Sequence, residues 1–164
     1  MADRFAGQIN IGGKIPAELK DNLAELIFAE VTYLGTGCSE EIGAVEAVYK
    51  QFDSAASMNL PVRFSDDQAR YGEFPDLEAF LRKHNIHFDR QSDARYEYDG
   101  ETVIFRGDKE WTFNSTQNGE LLVSYDKIRE ALEIVSAGDL AKCLNAIQEI
   151  APDYPVLEPL EFVE

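Results

Sequence analysis

The residues with the most evident reactive potential gather at Gly35-Thr36-Gly37-Cys38-Ser39, just ahead of Glu40 and Glu41. A glycine turn that opens a helix can cradle phosphate, because unpaired N–H groups and the helix dipole favour an anion. The same position lowers a thiol pKa and can turn a residue such as Cys38 into a nucleophile. Glu40 and Glu41 oppose both chemistries. In the first turn of a helix their charges answer the dipole themselves, so phosphate or thiolate would meet two carboxylates. The stretch is therefore read as a capped loop, with Ser39 as N-cap of a helix from about Glu40 to Phe52.

The glycine-rich stretch resembles the first motif of Rossmann-type methyltransferases. That resemblance implies a cofactor at the turn and a doubly wound sheet of alternating strands and helices. The residues downstream predict a meander in place of that alternation, and no cofactor is expected. His84 and His87, the chain's two histidines, would sit at a helix end and a strand start. They lack the i, i+4 geometry that aims two imidazoles at one metal, so no metal is expected either. Asp66-Asp67 reads as a solvated helix cap beside Arg63 and Arg70. Arg63, Arg70, Arg82, Lys83 and Arg90 read as intramolecular partners for surrounding acids, with a small anion site as the alternative.

These residues must be positioned by a chain of 164 residues carrying 31 Asp and Glu against 15 Lys and Arg, a net charge of −16. That length builds one ordinary domain, 1–164, without staples. Two cysteines form no disulfide framework. With no signal-like apolar stretch and no run long enough to span a membrane, a cytoplasmic location is the expectation. The acids are spread along the chain. Such a surface repels nucleic acid and anionic lipid and attracts basic partners.

The predicted fold class is α+β: an antiparallel β-meander packed with about five helices. Ile9 and Ile11 mark a short strand ending at Gly12-Gly13. Pro16 opens a helix with Leu19, Leu23, Leu26 and Ile27 inward. After the helix at 40–52, "DSAASMN" reads as a connection. Leu60, Val62 and Phe64 form a strand, and Ser65-x-x-Gln68 has the form of a capping box for a helical turn. A helix from Pro75 to about His84, with Leu77, Phe80 and Leu81 inward, precedes a strand at Ile86 and Phe88. Asp99-Gly100 predicts a tight hairpin pairing Ala94 with Phe105 and Tyr96 with Val103. A three-residue loop at Gln117-Asn118-Gly119 pairs Phe113 with Val123 and Trp111 with Tyr125, giving four strands in a meander. Asp126 and Asp139 cap two helices, with Ile128, Ala131, Leu132, Val135, Leu140, Cys143, Leu144 and Ile147 inward. Residues 152–164 read as an extended strap. Gly13-Lys14-Ile15-Pro16 and Gly72-Glu73-Phe74-Pro75 echo one another before two helices.

Nothing here pairs a nucleophile with a base, so the expected function is non-enzymatic binding of another protein. In its sharper form, the negative surface occupies a basic groove meant for nucleic acid. That is similar in kind to the acidic inhibitors carried against restriction or CRISPR machinery. Glu18, Asp21 and Glu25 would rise about 4.5 and about 6 Å apart on one helix, against phosphates advancing about 3.4 Å per step. These three, with Glu158 and Glu161, are the candidate partner-binding residues. The chain itself is not expected to bind nucleic acid or membrane. The alternatives are an accessory module that binds through its sheet or tail, with charge for solubility alone, and a small enzyme with an unrecognised site.

Overall fold

A computed structural model describes residues 3–35, 40–94, 99–116, 120–136 and 138–164, with backbone only at 135 and 136. The class is α+β, as expected. The strands are β1 (Arg4–Pro16), β2 (Tyr33–Leu34), β3 (Glu40–Glu41), β4 (Val62–Arg70), β5 (His87–Ser92), β6 (Gly100–Arg106), β7 (Lys109–Ser115) and β8 (Leu160–Val163). The helices are α1 (Lys20–Glu30), α2 (Val45–Met58), α3 (Pro75–Lys83), α4 (Tyr125–Ser136) and α5 (Leu140–Ile150), with a 3-10 turn at Ala17–Leu19. The sheet runs β3-β2-β4-β1-β5-β6-β7, and β8 joins β1. Every pairing is antiparallel except that of β8, which lies parallel to residues 13–16 of β1.

Strand order and connection together give two split β-α-β units, β1-α1-β2 and β4-α3-β5, interlocked so that each unit's first strand lies between the other's two. This is the ferredoxin-like arrangement, here extended by β3 and α2 and by the β6–β7 hairpin. The echoed tetrapeptides occupy equivalent places in the two units. Gly13 and Gly72 both have positive φ, at 83° and 68°, and Ile15 and Phe74 are fully buried ahead of their prolines.

The core lies between one sheet face and α1, α2 and α3. Ile9, Ile11, Val62, Phe64, Phe88 and Val103 meet Leu23, Ile27, Val48, Phe52, Leu77 and Leu81. Burying such side chains stabilises by roughly 1.5–3 kcal/mol each, and the inward stripes read for α1 and α3 hold.

Several local expectations are corrected. Glu40-Glu41 is a strand, paired with Tyr33-Leu34, and α2 begins five residues later at Val45. The backbone hydrogen bond from Ile42 N to Thr32 O, 2.8 Å, belongs to this hairpin and outweighs the N-cap signal. The helix then runs on through "DSAASM" and stops at Asn59, whose left-handed φ of 55° is a common helix terminator. Ser65–Gln68 caps no helix, because β4 continues to Arg70 and is held on both edges by β1 and β2. Strand β1 does not end at Gly12-Gly13 but runs to Pro16.

Phe105 and Val103 pair with Phe88 and Arg90, not with Ala94 and Tyr96. The connection is 93–99, of which 95–98 lie outside the described residues. The tight turn is Gly107-Asp108, where Arg106 pairs with Lys109. The register expected around 117–119 appears as one bridge, Ser115 to Leu121, although the loop itself lies outside the described residues. No strand follows, since Tyr125 already opens α4.

Candidate interaction surfaces

Cys38 and Ser39 lie outside the described residues. The flanking Gly35 and Glu40 place the glycine turn between two paired strands, not at a helix N-terminus. The capped loop expected to open a helix at Glu40 is corrected: Glu40 lies on a strand. His84 ends α3 with its ring 4.5 Å from that of Phe80, and His87 opens β5 opposite Gly12. Among the described residues no group of three His, Cys, Asp or Glu is placed to hold a metal ion.

Arg82, Arg90 and Arg106 pair with acids of the fold itself, whereas Arg63 and Arg70 are exposed. Glu78, 4% exposed, lies 3.0 Å from Arg82 Nη2 and 3.0 Å from Arg90 Nε. Arg90 also pairs with Glu101, and Arg82 Nε donates to Glu110 at 2.6 Å. On the opposite sheet face Arg106 is 2.8 Å from Asp89 Oδ1. That contact is an ion pair off the hydrogen-bonding direction. Buried charges persist only when paired.

The five candidate acids are all exposed, and two groups of them meet on one side of the molecule. Asp21 accepts from the Tyr49 hydroxyl of α2 at 2.8 Å. That hydrogen bond, with burial and the charges of Asp21, Glu25 and Glu46, holds the Tyr49 phenol above the usual tyrosine range. Glu158 and Glu161 border a depression of about 690 Å³ with Lys14, Lys20 and Asp53. Lys20 joins the two groups: its ammonium sits 5.0 Å from the Phe162 ring centroid and 5.8 Å from that of Tyr49. It also pairs with Asp53 at 3.3 Å. Glu18 falls in the 3-10 turn and not on α1, so the three acids do not share the regular rise expected of one helix.

A second surface was read from sequence as core. Helices α4 and α5 pack chiefly on one another, and their described buried side chains are the small ones, Ala131 and Cys143. Tyr125, Ile128 and Leu132 on α4, and Leu140, Leu144 and Ile147 on α5, are 43% to 74% exposed. On each helix this stripe lies about a quarter-turn from the buried residue, in the same rotational sense. In an antiparallel pair joined by residues 137–139, both stripes therefore fall on one side. The inward reading of Ile128, Leu132, Leu140, Leu144 and Ile147 is corrected, as is the strand position read for Tyr125. Amphipathic spacing shows that a face is apolar, not what covers it.

The strap is present. Its Pro155 carbonyl accepts from Arg106 Nε at 3.0 Å, Leu157 and Leu160 are buried, and Val156 is exposed. Among the described residues no helix is long and apolar enough to cross a membrane.

Comparison with protein-family models, with curated proteins and with solved structures returns no match.

Proposed function

We propose that this protein acts without catalysis, by binding another protein. The observation that carries the reading is the single apolar face formed by Tyr125, Ile128, Leu140, Leu144 and Ile147. Large exposed apolar patches mark association sites, and these side chains are exposed apolar residues of α4 and α5. A net charge of −16 selects the partner. Two copies of this chain repel one another, whereas a surface with an apolar centre and basic margins is drawn in. The experiment compares the partner captured from source lysate by the wild type with that captured by Ile128→Asp/Leu144→Asp, alongside light-scattering mass. The reading requires that the wild-type partner carry a basic surface and that the variant, still folded, lose it at least about tenfold. Equal capture by both proteins, or a stable homodimer through the hairpin, overturns it.

A second reading, occupation of a nucleic-acid-binding groove in the manner of anti-restriction or anti-CRISPR inhibitors, draws on Asp21, Glu25 and Glu46 clustering across α1 and α2. Lys14 and Lys20 among the neighbouring acids weigh against it. On this reading the partner's binding competes with DNA or RNA and falls steeply with added salt.

A further inference from the structure

On the sheet face away from α1, α2 and α3, a depression of about 280 Å³ opens over β1 and β4, lined by Gln8, Ser65, Asp66, Asp67 and Asp93. Neighbouring strand residues ordinarily point to opposite faces, yet Asp66 and Asp67 border the same hollow. The cause is a bulge. Phe5 pairs with Ala69 and Gly7 with Asp66, so β4 spends three steps where β1 spends two. Asp66 Oδ1 accepts from Gln68 N at 2.8 Å, and Arg4 Nη1 donates to Gln68 O at 2.7 Å from the border. Asp93 closes the other wall, its N–H bonded to Ala6 O at 2.9 Å. Bulges re-aim side chains in this way and are common beside binding sites.

The second observation is Ser65. It is 7% exposed, it lines the hollow, and its Oγ is buried with no hydrogen-bond partner among the described residues. A buried hydroxyl left without a partner is unfavourable, so a guest that bonds to it gains correspondingly. Gln8 donates its Nε2 to Gln91 at 2.7 Å, leaving its amide oxygen as a further acceptor. The set is thus three carboxylates, a hydroxyl and a carbonyl, spread around the walls and not converged as metal ligands. Burial pushes the Asp93 carboxyl up from its ordinary value, as partial desolvation does to an acid. The complementary guest carries a positive charge and several donors, and gives up its hydration readily. Guanidinium has those properties: five N–H donors in a plane and no acceptor.

We propose that this hollow binds a guanidinium group. On the reading above, which this inference extends, its occupant is an arginine side chain of the basic partner.

Methylguanidinium titrated into the full chain, with backbone amide shifts as readout, tests the site without the partner. Tetramethylammonium and magnesium chloride at matched ionic strength are the comparison arms. The expected result is saturable shifts at Gln8, at Ser65 to Gln68 and at Asp93, seen with methylguanidinium alone. Asp67→Asn and Ser65→Ala should each weaken binding about tenfold, while amides elsewhere keep their positions and report an intact fold. Shifts that never saturate, that persist equally in both variants, or that magnesium reproduces would overturn the inference. Such a failure leaves the hairpin-based reading standing. Loss of partner capture in the hairpin variant, with methylguanidinium binding unchanged, separates the two in the other direction.

Discussion

The Glu30 carboxylate, at the end of α1, accepts from the backbone N–H of Leu77 at 2.8 Å and from that of Asp76 at 3.1 Å. The N-terminus of α3 is thus an anion site already filled by the chain itself. Glu78 Oε1 accepts from Phe74 N at 3.1 Å and takes a further orphan donor. Removing the Glu30 acceptor with Glu30→Ala is expected to cost about 1 kcal/mol, read as a lower urea midpoint at unchanged slope. A neutral midpoint shift would show that water replaces the carboxylate without loss.

Arg106, itself buried, pairs with Asp89, whose side chain is 29% exposed, and it also donates to the Phe88, Phe105 and Pro155 carbonyls at 2.9–3.0 Å. Arg106→Leu strips Asp89 of its cation and those carbonyls of their donor, and is expected to destabilise by about 1–3 kcal/mol. The double change Arg106→Leu/Asp89→Leu should recover part of that loss, because it removes the stranded charge as well. Denaturant curves for the two singles and the double check this, and simple additivity would contradict it.

Gly12 lies beneath the strap, where an added Cβ would stand 2.1 Å from Glu158 O. Gly12→Ala must therefore push residues 157–159 off the sheet. The expected signs are faster proteolytic cutting between 151 and 159 and weaker amide protection at Gly13, whose N–H bonds to Glu158 O and Pro159 O at 3.1 Å.

Asp139 caps α5, and the Lys142 backbone N–H, followed by the Lys142 side chain, holds its carboxyl below the ordinary value of 3.8. A depressed carboxyl contributes stability that is complete above its unfolded-state pKa and is lost as the pH falls through the folded one. The Lys142 amide shift should therefore move with acid below pH about 3.8, and Asp139→Ala should abolish that movement while lowering α5 helicity at neutral pH.

Local chemistry in the sequence located much of this fold. Pro16 and Pro75 marked helix starts, Asp139 marked another, and the stripes of α1 and α3 matched buried or partly buried residues. The readings that failed were those in which distant pairing outweighed local preference. "SDDQ" has cap-like residues, but two flanking strands hold it extended. Glu40 and Glu41 suit a first helical turn, but Tyr33 and Leu34 pair with them. Leu140, Leu144 and Ile147 have core spacing, and nothing local to them says that no further layer covers them. The hollow at Asp66, Asp67 and Asp93 could not be read in advance, because it depends on a one-residue register shift against β1. Asn59 was a legible stop for α2, passed over because the alanines and serines before it looked like loop.

Strand β1 takes neighbours from three separate stretches of chain, at 62–70, 87–92 and 160–163. Early-made backbone must therefore wait for late-made partners, and each closure forfeits chain entropy before any contact repays it. Assembly on such long-range pairings belongs to the slower regime, about milliseconds to seconds. During that interval the bare edges of β1 are where neighbouring unfinished chains would engage, so yield on refolding should fall as protein concentration rises.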